Sequence, residues 1–140
     1  RGKGRMNDEV LEGGCLCGQV RYRAQGPVEG VAHCHCGMCR RASGAAALTW
    51  FWLPHARFKL TQGTLRIYRS SPRGKRSFCG RCGTPLTFQS LENPAEIDIT
   101  LGSLDHPERL RAQRHVWTAS RLPWLHLDED LPDFPADGPG

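Results

Sequence analysis

Seven cysteines in three tight groups constrain this chain more than any other feature of its 140 residues: Cys15 with Cys17, then Cys34, Cys36 and Cys39, then Cys79 with Cys82. An odd number leaves a closed disulfide framework one thiol over, and thiols this close in sequence suit metal ligation better than cross-linking. In a Cys-x-Cys pair on an extended segment both sulfurs leave the same side of the chain, because side chains alternate across a strand. Cys15 and Cys17 can therefore chelate together, and so can Cys34 and Cys36. The run Cys79-Gly80-Arg81-Cys82-Gly83 has a different form, a knuckle whose two thiolates converge while a glycine after each cysteine relieves crowding.

Zinc takes four tetrahedral ligands in structural sites, and three plus an open position in catalytic ones. Seven cysteines divide economically in the same way. Cys15, Cys17, Cys79 and Cys82 form one closed zinc site, tying an early strand to the later knuckle, and Cys34, Cys36 and Cys39 form a second, with a vacant fourth place. A histidine could instead close the second site as Cys3His. His33 and His35 are adjacent candidates, but alternation sends them to the face opposite Cys34 and Cys36, where a hydrogen-bonding role fits better; His115 is a distant candidate. A redox role for Cys79 and Cys82 lacks the βαβ surroundings that such motifs have.

The rest of the sequence sets the frame for these sites. Sixteen Gly and ten Pro, with 39% apolar and 24% charged residues, point to one all-β or β-rich domain with many turns. Residues 10–135 are expected to form that domain, with 1–9 a flexible segment or cloning remnant in which Met6 is a candidate natural start, and 136–140 a tail. No apolar run approaches the roughly 18 to 20 residues that span a bilayer, so a cytoplasmic protein without a membrane partner is expected. The net charge of +5 permits attraction to nucleic acid, acidic lipid or an anionic small molecule and selects none of them.

Strands are expected where apolar and polar residues alternate. Val20, Tyr22 and Ala24 mark one, ended by Gly26 and Pro27; Ala45 to Leu53 is a buried one stopped by Pro54; Leu86 and Phe88 mark another; Ile97, Ile99 and Leu101 a fourth. Phe58 and Leu60, followed by a turn at Gln62 and Gly63 and by Leu65, Ile67 and Tyr68, read as a hairpin. The stretch SSPRGKRS at 70–77 reads as a basic loop, too short and too poor in aromatics for a nucleic-acid surface. The acidic, Pro-rich end DEDLPDFPADGPG should lie on the surface or fray.

The groups CLCG, HCHCGMCRRASG and FCGRCGTPL resemble the signature of the family of glutathione-dependent formaldehyde-activating enzymes, which also includes centromere protein V. TWFWLP, IDITLGSLD and HVWTASRLPWLHLDEDLPDFP resemble further family features, so the likeness runs from about Gly13 to Pro135. It implies an Mss4-like β-tent, antiparallel sheets meeting around a structural zinc. Carried over by motif, the structural ligands fall on Cys15, Cys17, Cys79 and Cys82, and the ligands of a catalytic zinc on Cys34, Cys36 and Cys39, the division that spacing also favours. The implied activity is that of a carbon–sulfur lyase, joining formaldehyde and glutathione as S-hydroxymethylglutathione. The substrate thiol or the aldehyde oxygen would take the fourth place on the second zinc, and no side chain stands out as a general acid. Arg40 and Arg41 are candidate glutathione contacts, or else plain surface arginines; Trp50, Trp52, Trp117 and Trp124 line a pocket or fill the core. The competing reading is a zinc-ribbon-like binding or structural module, with a nucleic-acid or protein partner and no catalysis.

Overall fold

Alternation of apolar and polar residues, broken by glycine and proline, produces ten short strands and one helix in the computed structural model, which describes residues 9–138. Residues 1–8 of the segment expected to be loose, 1–9, and the last two residues of the expected tail, 136–140, lie outside the described residues. The strands are β1 (Val10–Gly14), β2 (Arg21–Gln25), β3 (Gly30–Cys34), β4 (Leu48–Pro54), β5 (Phe58–Gln62), β6 (Leu65–Ser71), β7 (Gly74–Cys79), β8 (Pro85–Ser90), β9 (Glu96–Thr100) and β10 (Arg114–Val116), with helix α1 (Gly37–Ser43) between β3 and β4.

Two sheets result, one ordered β1-β2-β5 and the other β10-β3-β4-β9-β8-β7-β6. All pairs are antiparallel except β10 with β3, which run parallel. This is the β-rich, two-sheet architecture expected from the sequence, with one parallel pair and one helix added.

Register divides the larger sheet into two faces, since successive side chains point to opposite sides. Val31, Phe51, Leu53, Ile97 and Ile99 share the main core with Leu11, Tyr22 and Ala24 of the smaller sheet. Ala32, Cys34, Trp50 and Trp52 belong to a second cluster with Cys39 and Val116, and Phe88 packs against it. The sequence of β4 alternates accordingly, Phe51 and Leu53 going into one cluster and Trp50 and Trp52 into the other. Three of the four tryptophan positions are thus settled differently: Trp50 and Trp52 are core, whereas Trp124 is 66% exposed.

Two local expectations fail. The hairpin across 58–68 does not form, because β5 pairs with β2 in the smaller sheet while β6 pairs with β7 in the larger one. Gly63, at φ 77°, is where the chain crosses between sheets, and any Cβ there would collide with the Gln19 carbonyl oxygen. The basic loop at 70–77 is instead the meeting of β6 and β7, its turn reduced to Pro72 and Arg73; charge concealed the alternation that pairs Arg76 with Phe88 and Tyr68. The C-terminal stretch lies at the surface as expected, and its described part is bonded alongside β10: the His115 amide donates to Pro132 O at 2.9 Å, the Phe134 amide to His115 O at 3.0 Å and the Trp117 amide to Ala136 O at 2.9 Å.

Gly30 opposes Trp52 across β3 and β4, and a Cβ on it would run into the six-membered ring of Trp52. Gly30→Ala should therefore lower stability by roughly 1 to 3 kcal/mol, as overpacking of a filled site does. Urea unfolding with an unchanged m-value and a lower midpoint is the expected result; an unchanged midpoint would show that the Trp52 ring has room to yield.

Candidate metal centres

The first cluster is built where the two sheets meet. Cys15 and Cys17 follow β1, and Cys79 ends β7 with Cys82 in the turn leading to β8. The two early cysteines reach one side through a tight turn, with the Gly18 amide donating to Cys15 O at 3.1 Å and Gly18 at φ 83°, and not through strand alternation as the spacing alone suggested. Their sulfurs lie 3.6 Å apart, and Cys17 Sγ is 3.8 Å from Cys79 Sγ. All four ligand atoms fall within 4.8 Å of one another.

A tetrahedral site with zinc–sulfur bonds of about 2.3 Å has sulfur–sulfur edges of about 3.8 Å, so these separations fit the ion. The donors around the sulfurs fit thiolates. Cys15 Sγ accepts from the Val20 amide at 3.2 Å, and Cys79 Sγ from the amides of Arg81 at 3.4 Å and Cys82 at 3.5 Å. Thr84 joins the two halves, its hydroxyl accepting from the Leu16 amide at 3.0 Å and lying 3.2 Å from Cys82 Sγ. That hydroxyl, followed by the backbone of Thr84, brings the Cys82 thiol down to about 5. The Gln19 amide pulls Cys17 the same way, but burial and the thiols of Cys15, Cys82 and Cys79 outweigh it and push Cys17 up to about 11. Four thiols this close cannot all ionise without a cation among them.

The second cluster lies on the tryptophan side of the larger sheet. Cys34 ends β3, Cys36 caps α1, and Cys39 sits inside that helix. Cys36 is extended at φ −69° and ψ 152°, so Cys34 and Cys36 do alternate onto one side; its Sγ accepts from the Cys39 amide at 3.2 Å. Gly44 at φ 78° closes the helix, its amide donating to Arg40 O at 2.6 Å. Seven residues make a helix here because both ends are capped, and so Cys39 is turned back to stand 3.3 Å from Cys34, sulfur to sulfur. The three ligand atoms again lie within 4.8 Å of one another. Hydrogen bonds to Cys34 and then Cys39, with the charge of Arg76 adding to them, hold the Cys36 thiol far below the ordinary thiol range; the same contact with Cys36 pushes Cys34 up.

His33, His35 and His115 are absent from this cluster. They form a buried network on the other side of β3: His33 Nδ1 is 2.7 Å from Thr49 Oγ1 and its Nε2 2.7 Å from Asp128 Oδ2, His35 Nε2 is 2.8 Å from His115 Nδ1, and His115 Nε2 is 2.9 Å from Asp128 O. Arg40 donates from Nη1 to the carbonyls of His35 at 2.6 Å and Ser120 at 2.7 Å, while Arg41 is exposed.

One residue near the cluster carries no sequence signal. Arg76, on β7, directs Nη1 and Nη2 at Cys39 Sγ, at 3.8 and 3.7 Å, with its guanidinium carbon 5.2 Å from the Phe88 ring centroid and 5.9 Å from that of Trp50. Strand pairing of GKRSFC with PLTFQS would have found it, had the basic residues not read as a loop.

The model of the family described as glutathione-dependent formaldehyde-activating enzyme matches residues 10–120. A curated protein of Halomonas elongata, named "Putative glutathione-dependent formaldehyde-activating enzyme", is 26% identical over 133 residues, spanning 85% of this chain and 82% of its own. A crystal structure of a Rhodobacter sphaeroides protein superposes with a TM-score of 0.57 at 21% identity, covering 87% of this chain and 98% of that one, and so shares the fold.

Cys82→Ser should lower bound zinc by one equivalent and reduce the yield of folded protein, because a closed zinc site contributes folding energy directly. Zinc analysis by mass spectrometry with thermal unfolding checks this, and a strong chelator added to the intact protein should lower its Tm in the same way. Full zinc content with unchanged Tm in the variant would mean that Cys82 holds no metal.

Proposed function

We propose, given that this chain belongs to the family of glutathione-dependent formaldehyde-activating enzymes, that it adds a thiol to an aldehyde, with glutathione and formaldehyde as the pair and S-hydroxymethylglutathione as product. The carrying observation is the contrast between the clusters: four ligand atoms converge in one and three in the other among the described residues. In this reading Cys15, Cys17, Cys79 and Cys82 hold a structural zinc, and Cys34, Cys36 and Cys39 hold a second zinc with one coordination position left for substrate. When bound, that second zinc supplies Lewis acidity, which lowers the pKa of a thiol and polarises a carbonyl oxygen.

The chain's own residues supply the setting. Cys34 and Cys39 are buried against Trp50 and Val116, and Cys36 is the partly exposed member, so a small ligand approaches from its side. The Cys39 amide fixes Cys36 Sγ, and Arg40, tied to the carbonyls of His35 and Ser120, braces the segment that carries both sulfurs. Arg40 is thereby engaged within the protein, which leaves the exposed Arg41 as the freer attraction for an anionic tripeptide. The histidine network faces away from the cluster, so the proton that completes the product hydroxyl comes from solvent. The reverse reaction breaks a carbon–sulfur bond, which makes the activity that of a lyase, and a reducing compartment such as the cytoplasm keeps the thiolates free.

Cys36→Ser should keep the fold and one zinc, lose the second zinc, and bring formation of the adduct from carbon-13 formaldehyde and glutathione, followed by exchange NMR, down to the uncatalysed rate. Zinc absorption fine structure on the wild type should gain one sulfur neighbour when glutathione is added. Two zincs indifferent to glutathione, or an undiminished rate in Cys36→Ser, would sink the assignment.

A further inference from the structure

Arg76 is an arginine in an unusual position. Its side chain reaches over the tryptophan face of the larger sheet between Phe88 and Trp50, ring contacts that hold the guanidinium plane in place. Among the described residues no carboxylate lies within ion-pair distance of it. Among the described residues its hydrogen-bond acceptor is Cys39 Sγ, contacted by both terminal nitrogens, and its Nε is buried without a partner. A half-buried cation usually faces a carboxylate, because burial of unpaired charge is costly. Here the compensating negative charge has to come from the sulfur cluster and from whatever enters beside it.

We propose that Arg76 is the oxyanion-binding residue of the three-cysteine site. This rests on the thiol–aldehyde reaction proposed above. In that reaction the thiolate sulfur forms a bond to the carbonyl carbon, the carbonyl π pair moves to oxygen, and the resulting alkoxide takes a proton from water to give the hydroxymethyl thioether; no electron is gained or lost. Negative charge therefore passes from sulfur to oxygen within one carbon's length. A guanidinium fork that already spans the edge of Cys39 can follow that transfer, donating to the new alkoxide from one nitrogen while the other stays near the sulfur. The aromatic clamp keeps the fork aimed without help from water, so little reorganisation accompanies the step. Since no side chain stands out as a general acid, Arg76 stabilises the alkoxide until solvent protonates it.

Arg76→Gln and Arg76→Lys test this in the zinc-loaded protein. Arg76→Gln should bind both zinc equivalents and lower kcat by about 100- to 1,000-fold, with KM for glutathione changed little, as loss of an oxyanion donor does. Arg76→Lys, which keeps the charge without the fork, should recover part of the rate. A binding readout accompanies the kinetics: thioacetate carries sulfur and oxygen on one carbon, as the adduct does, whereas ethanethiol has no oxygen. By calorimetry, the preference of the wild type for thioacetate over ethanethiol should fall roughly tenfold in Arg76→Gln, the size of one charge-assisted hydrogen bond. A kcat within twofold of wild type, or an unaltered preference, would overturn the proposal while leaving the parent reaction standing. Loss of the second zinc in both variants would overturn it in favour of a part in assembling the cluster. Absence of thiol binding and of rate acceleration in the wild type itself would remove the parent reaction, and this role with it.

Discussion

Crowded thiol sulfur is the constraint on which the rest of this structure depends. Four sulfurs in one place and three in another, each set within 4.8 Å, repel one another once ionised, and neither group is tolerable unless compensating charge is at hand. The fold answers in three ways. Backbone amides of Val20, Arg81, Cys82 and Cys39 are turned toward sulfur, the Thr84 hydroxyl stands beside Cys82, and a guanidinium is laid against Cys39. The ligand type and spacing of both clusters suit a divalent cation such as zinc, which would complete the compensation.

The two clusters answer different mechanical needs. The four-sulfur group joins the end of β1 to the β7–β8 turn and so links the two sheets at a point where the hydrophobic core thins toward exposed Cys17. The three-sulfur group joins nothing distant; it is gathered from a strand end and one short helix, and leans on a second apolar cluster of its own. Separation of the two cores by the larger sheet means that strain at one cluster reaches the other only through the strands between them.

Much of this was legible in the amino-acid sequence because cysteine spacing and strand period are strict. The partition into Cys15, Cys17, Cys79, Cys82 and Cys34, Cys36, Cys39 follows from counting, and the opposite placement of His33 and His35 follows from alternation. What spacing could not convey was the means: a turn, not a strand, brings Cys15 to Cys17, and a helix brings Cys39 to Cys34. Pairing was also out of reach for β5 and β6, since Gln62 and Gly63 are as consistent with a hairpin as with a crossing between sheets, and only the partners Tyr22 and Cys79 decide. Arg76 was hidden for a related reason: Lys75 and Arg76 in a stretch rich in serine carry the hydrophilicity of a loop, although their side chains lie on the two faces of a paired strand.

The parallel strand β10 carries a consequence for the order of events when the chain is made. It lies beside β3, the strand that ends in Cys34, and the residues that follow it are bonded back onto it through His115, while Asp128 reaches His33. A ribosome releases this segment after every other strand described here, so the back wall of the three-cysteine site is missing while the cysteines themselves are already outside the tunnel. For that interval the nascent chain presents reactive thiols on an unfinished sheet, and their protection from oxidants falls to the cell and not to the fold.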